Sequence, residues 1–261
     1  MKAKIKFLSL SAVLLLLVSC DTGYRIENNK VYYQSWGFSF GYQPHELDSA
    51  DAATFEDLGH DYGRDATHAY YQEKLISGVN APQFQVLREP FAADDRHVYY
   101  KGKLISGAKA PSFEAKTEYM GRDAHDVYWK GYPLHVADME SFDFLSSTRS
   151  DFTSWAVDRQ YAYFVEMYPD SDAFKVPVAD YKSFHIIKGK AIHKDAVISN
   201  NYAADKYQVY YKGTVIIGAD PSTFQEVDWE LATDKNHKFS KSEVISEMEW
   251  NNIMKKYNKS K

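Results

Sequence analysis

The 261 residues carry 31 Lys and Arg against 36 Asp and Glu, a net charge of −5, which excludes the broadly basic face that nucleic-acid phosphates require. One cysteine in the whole chain excludes intrachain disulfides and cysteine-based metal sites. Aromatic residues make up 16% of the sequence, 21 of them Tyr, and their placement is periodic.

In chain order, Lys2, Lys4 and Lys6 precede a largely apolar run of twelve residues, Phe7 to Val18. A bilayer-spanning helix needs about 20 apolar residues, so the run suits the apolar region of a secretory signal peptide. It closes on Leu17-Val18-Ser19-Cys20, which resembles a bacterial lipoprotein signal whose cysteine takes lipid through its sulfur. The expected division is a signal peptide over 1–19, lipidated Cys20 and a linker over 20–23, and a repeat domain over 24–261. Residues 21–261 keep 28 basic against 36 acidic groups, a net charge of −8. The membrane contact is therefore expected from the lipid on Cys20, at the periplasmic face or the cell surface, and not from a polybasic patch.

From residue 24 onward the chain repeats itself. Aromatic pairs stand at Tyr70-Tyr71, Tyr99-Tyr100 and Tyr128-Trp129, spaced by 29 residues. They return at Tyr163-Phe164, Tyr210-Tyr211 and Phe239, with Tyr32-Tyr33 in front. Five residues ahead of them lie Asp65, Asp94, Asp123, Asp158, Asp205 and Asp234, with Glu27 in the first copy. Two before each Asp is a small residue: Gly63, Ala92, Gly121, Ala156, Ala203 or Ala232. Three before is a large apolar one: Tyr62, Phe91, Met120, Trp155, Tyr202 or Leu231. Phe84, Phe113, Phe142 and Phe224 follow the pair's first member by 14 residues, and Phe55 and Phe184 take that place after longer spacers. Four before the Phe stands Asp or Asn, with Lys109 the exception. Three after it stands Leu, Ile or Val, with Lys116 the exception.

Within a unit, "HVYYKGKLIS" (97–106) reads as a hairpin turning at Lys101-Gly102. The preceding Asp suits a turn in which its carboxylate accepts nearby backbone N–H groups, and the apolar-small-x-Asp segment reads as a third strand. "DPSTF" (220–224) reads as one helical turn with Asp220 as N-cap and Phe224 directed inward. The expected fold is mainly β: about seven tandem units of three short antiparallel strands and a helical turn. Such units share a continuous core, in an open array or solenoid, and are too short for propeller blades of about 40 residues. The first copy is enlarged into a cap, and the fifth is stretched near Pro169-Asp170 and again over 189–202. A helix over 244–257, with Ser242 as N-cap, closes the far end.

"DKYQVYYKGTVIIGADPSTFQEV" (205–227), "DKNHKFS" (234–240) and "DRHVYYKGKLISGAKAPSFE" (95–114) resemble the DKNYY repeat family over nearly all of residues 24–255. The resemblance implies a repeat architecture and an envelope or secreted address, and supplies no active site.

Gly37-Phe38-Ser39-Phe40-Gly41 spells the G-x-S-x-G of a hydrolase elbow, but Phe38 and Phe40 alternate as in a strand and Pro44 opposes a following helix. His68, His97 and His237 share one turn column, which sets them in a row instead of converging on a metal. His193-Lys194-Asp195 and Asp170-x-Asp172 lack the spacing of a calcium loop. No metal, cofactor or catalytic residue is expected. Neighbouring strand residues face opposite sides, so the second ring of each pair, Tyr71, Tyr100, Trp129, Phe164 and Tyr211, is the candidate row for stacking on sugars or peptides. The expected role is a non-enzymatic envelope scaffold or binding module for a protein or glycan. A purely structural role and a serine hydrolase built on Ser39 are the alternatives.

Overall fold

The computed structural model describes residues 22–37, 41–145, 153–166, 174–190 and 199–259. Its repeated element is a four-stranded antiparallel meander. In one copy, Gln85–Arg88, Phe91–Ala93, Val98–Tyr100 and Lys103–Leu104 pair each with the next. The last two strands turn at Lys101 and Gly102, whose φ angles of 49° and 71° are left-handed, as a two-residue hairpin of right-handed strands requires. Three strands per unit are expected from the sequence, and the structure adds a fourth directly after the Phe. Gln85–Arg88 is mostly exposed, so no buried face imposes an alternation that marks it as a strand.

Six such sheets follow one another, starting at Glu56, Gln85, Glu114, Asp143, His185 and Gln225, behind a three-stranded first sheet over 23–46. All seven stay open, with their first and last strands as edges. The chain divides into two compact units after Ser77. The first holds sheets one and two around a core of Val31, Tyr33, Leu47 and Tyr70. The second holds sheets three to seven, and each of its cores is shared by consecutive sheets. Phe91, Val98 and Tyr128 join the third and fourth; Trp129, Tyr163 and Val165 join the fourth and fifth. Trp155, Phe184 and Tyr210 join the fifth and sixth, and Tyr202, Phe224 and Phe239 the sixth and seventh.

Each junction is filled by the Phe of the helical turn. The turns at Ala81–Gln83, Ala110–Ser112 and Tyr181–Ser183 are 3₁₀ helices. Phe113 sits 5.5 Å from Phe91 behind it and 5.8 Å from Tyr128 ahead, centroid to centroid. Phe224 lies likewise between Tyr202 and Phe239, at 5.4 and 5.1 Å. Tilted or edge-on contacts at these separations suit aromatic quadrupoles.

Two end features differ from the sequence reading. Glu27 is exposed at the end of the first strand and does not take the role of the later aspartates. In that copy the buried ring is Tyr33, and its hydroxyl donates to Asp61 at 2.6 Å. At the other end, Glu243–Ile245 completes the seventh sheet, so helix α1 starts later, at Glu247, and runs to Lys259. Its cap is Ser246 and not Ser242. Ser246 Oγ accepts the Glu249 N–H, and the Glu249 carboxylate accepts the Ser246 N–H and hydroxyl, a reciprocal capping box. Trp250 then packs on Val227 and Leu231, closing the last sheet. Among the described residues no helix is long and apolar enough to cross a membrane.

The small-residue column has a direct test. A Cβ on Gly121 would overlap the Phe113 ring, whereas Ala92, Ala156, Ala203 and Ala232 carry one in the same column. Gly121→Ala is expected to destabilise the chain by about 1–3 kcal/mol through overpacking, and Phe113→Leu in the same chain to recover part of the loss. Urea denaturation of the two variants checks this.

Candidate functional site

The most polar groups in the interior are the repeated aspartates. Asp65, Asp94, Asp123, Asp158 and Asp205 are buried, and Asp234 is half-buried. Each lies in the turn between the second and third strands of its sheet, and its two oxygens work on different parts of the chain. In Asp94, Oδ1 accepts the N–H groups of Arg96 and His97 at 2.8 and 2.6 Å, closing the turn. Oδ2 accepts the N–H of Asn80 at 2.9 Å and the hydroxyl of Tyr99 at 3.3 Å. Asn80 directly precedes the 3₁₀ turn that delivers Phe84, so the carboxylate ties that turn to the hairpin.

The set recurs. Asp205 accepts from Tyr207 and Gln208 on Oδ1, and from Ala179, Asp180 and the Tyr210 hydroxyl on Oδ2, all within 2.7–3.0 Å. Asp158 does the same with Gln160, Tyr161, Ala137, Asp138 and the Tyr163 hydroxyl. The bond to Asp123 explains the Lys109 exception, since Lys109 contributes its backbone N–H, at 2.8 Å, and any side chain would serve. Burial pushes all six carboxyls up, but the hydrogen bonds outweigh it and hold them below the usual carboxylate range. The phenols of Tyr70, Tyr99, Tyr128, Tyr163 and Tyr210 are pushed up, by burial first and by the neighbouring carboxylate next.

The candidate stacking row lies largely inside. Trp129, Phe164 and Tyr211 are buried, and Tyr71 and Tyr100 half-buried. Each ring has an aromatic neighbour: Tyr62 for Tyr71, Phe91 for Tyr100, Phe144 for Trp129, Trp155 for Phe164 and Tyr202 for Tyr211. Their polar tips are also engaged: Trp129 Nε1 donates to the Glu166 carbonyl, and the Tyr211 hydroxyl donates to Glu230.

His68, His97 and His237 each place Nδ1 3.5 Å from the aspartate of their own turn. Among the described residues no three His, Cys, Asp or Glu side chains are grouped to hold a metal ion. Ser39 lies outside the described residues, but its flanking glycines, Gly37 and Gly41, pair across two antiparallel strands. A hydrolase elbow needs a strand followed by a helix. Cys20, Asp170, Asp172, His193, Lys194 and Asp195 also lie outside the described residues.

Sequence reasoning missed a second buried polar group, Ser199, Asn201 and Glu226. Its signal is partial. Two residues after the Phe, the column is apolar at Val86, Ala115, Phe144 and Ile186, whereas the second sheet carries an exposed Asp57 and the seventh a buried Glu226.

The Asp-Lys opening at Asp205-Lys206 and the Tyr pair five residues on are thus one hydrogen-bonded unit, and this phrase gives a known family its name. The DKNYY family matches residues 91–243, more than half of the chain. The chain belongs to the DKNYY family. Neither the curated proteins nor the solved structures yielded a match.

In this DKNYY chain, Asp205→Ala strips the Tyr207, Gln208 and Asp180 N–H groups of their acceptor and leaves the Ala179 N–H only the Tyr210 hydroxyl, and that hydroxyl only Gln208 Oε1, at a cost of about 3 kcal/mol. Tyr210→Phe removes one hydroxyl and is expected to cost only about 1 kcal/mol, since Phe239 already fills that column in the seventh sheet. Equilibrium urea denaturation separates the two. Because the folded carboxyl pKa values are depressed, their stabilisation is present above the ordinary pKa of about 3.9 and is lost as pH falls through the folded values. Acid unfolding followed by circular dichroism should accordingly set in below about pH 4.

Proposed function

We propose that this chain is a non-enzymatic scaffold of the bacterial cell envelope, anchored by lipid on Cys20 and holding a protein or glycan partner on its outer surface. The observation that carries this reading is that the repeated carboxylates, phenols and rings are committed to one another. Asp205, with five hydrogen-bond donors, and the Tyr210 phenol that it accepts have no capacity to spare for a substrate. Repeat arrays of this kind supply extended surface, and ligand sites on them sit where the repeat is interrupted.

The membrane address is supported by the sequence Leu17-Val18-Ser19-Cys20 behind its basic and apolar segments. A purely structural envelope role is the second reading, favoured by the burial of Trp129, Phe164 and Tyr211. Of the row proposed for sugar or peptide stacking, Tyr71 and Tyr100 are the two members that are half-buried and not buried.

Expression of the full chain in a bacterial host with labelled palmitate tests the anchor. The wild type is expected to carry label and to sediment with membranes, and Cys20→Ser to lose both. A Cys20→Ser chain that stays in the membrane fraction with label overturns the anchor. Affinity capture on residues 21–261 from envelope extract separates the two roles: recovery of one protein or glycan in stoichiometric amount supports the binding scaffold, and recovery of neither supports the structural reading.

A further inference from the structure

Glu226 stands on the first strand of the seventh sheet, fully buried, where four other copies carry Val86, Ala115, Phe144 or Ile186 and the second sheet carries Asp57, which is exposed. It grips the sixth repeat at two separate points. Its backbone carbonyl accepts the N–H of Lys190, at 2.8 Å. Its carboxyl Oε1 accepts the N–H and the hydroxyl of Ser199, at 2.8 and 2.7 Å. Ser199 Oγ in turn accepts the N–H of Asn201, at 3.1 Å, just before the strand Tyr202–Ala204. Lys190 and Ser199 are the two ends of the segment that interrupts the sixth repeat between its first and second strands, so one residue of the next sheet fastens both.

The other carboxyl oxygen, Oε2, is buried and has no hydrogen-bond partner among the described residues. Among the described residues, the titratable groups that act on Glu226 are Asp228 on its own strand and the phenols of Tyr202 and Tyr211 on the second and third strands of the sixth sheet. None of them is a cation. An orphan hydroxyl costs far less in such surroundings than an orphan carboxylate oxygen.

We propose that Glu226 is a proton-controlled clasp, closed when the carboxyl is protonated and loosened when it ionises, that sets the grip between the sixth and seventh repeats. Both protonation states offer Oε1 to Ser199, and only the ionised state leaves a charge on Oε2. Burial pushes the carboxyl up to about 7, against the opposing pull of the Ser199 bonds and with a smaller upward push from Asp228. The folded pKa is raised, so the grip is unpenalised below the ordinary carboxyl value of about 4.3. It weakens as pH rises from there to about 7, and is constant above.

Amide hydrogen exchange at Ser199 and Lys190, in the full chain and in Glu226→Gln, tests the clasp at pH 5 and pH 8. Gln keeps the Oε1 acceptor and cannot ionise. Protection in the two proteins is expected to agree within a few-fold at pH 5. At pH 8 the Gln variant should be better protected by about 500-fold, which corresponds to the rise from about 4.3 to about 7. Equal protection at both pH values, or weaker protection of the variant at pH 8, overturns the proposal. The wild-type chain gives a readout that does not depend on the variant folding. The carbon-13 shift of the Glu226 carboxyl should titrate near pH 7, and a carboxyl that is already ionised at pH 5 refutes the clasp.

Discussion

Every later unit depends on one carboxylate that collects N–H groups from two separate stretches of chain. An aspartate out of water is costly unless its oxygens are filled, and here they are filled by a turn, a loop end and, in five units, a phenol. The length of the side chain matters. Aspartate is short enough for Oδ1 to reach the N–H groups two and three residues on, while Oδ2 still points across to the loop before the 3₁₀ turn. Asparagine offers one acceptor oxygen in place of two and would have to leave one of the two stretches unpaired. The bond network therefore fixes where the turn sits, and the turn fixes where the Phe goes.

The Phe then does what no single sheet can do. Sheets of strands two to six residues long bury little apolar surface of their own. Placing Phe113 between Phe91 and Tyr128, or Phe184 between Trp155 and Tyr210, makes each core common to two neighbours. Tyr202 extends the sharing further, with its hydroxyl on the carbonyl of Lys241 in the next sheet. Trp155 likewise donates to the carbonyl of Asn200. Polar tips and apolar bodies of the same side chains thus cross the same junctions, so hydrogen bonding and burial select one spacing between sheets.

The Asp, small-residue and Phe columns were legible in the sequence because each is a fixed-distance demand repeated several times. Gly63 and Gly121 stood out for that reason, and the rings that press on them are those of their own Phe column, Phe55 and Phe113. The first strand of each sheet was not legible, because Gln85–Arg88 is exposed and owes its pairing to Phe91–Ala93 and not to its own pattern. Glu27 differs from the aspartates because the first copy turns in only two residues, Asn28 and Asn29, with Glu27 and Lys30 paired through the backbone and the Glu27 side chain exposed. Ser242 was a reasonable cap by composition, but the last sheet needs its fourth strand first, and the reciprocal Ser246–Glu249 pair decides the helix start. Of the candidate stacking row, sequence alternation gave the face of the sheet and could not tell that the next sheet covers much of it. Glu226 was not legible because an acid in its column is also found at Asp57, which is exposed, and the sequence does not show that only Glu226 is covered.

The buried aspartates, and not the strand ladders alone, hold the junction loops. Native-state hydrogen exchange on the full chain measures that hold most directly, at the amides of Lys109, Ala179, Asp180 and Asp220. These residues lie outside every strand, and each donates to an aspartate of the following hairpin. Protection comparable to that of the central strands is expected. Exchange as fast as that of the exposed loop amides would contradict it.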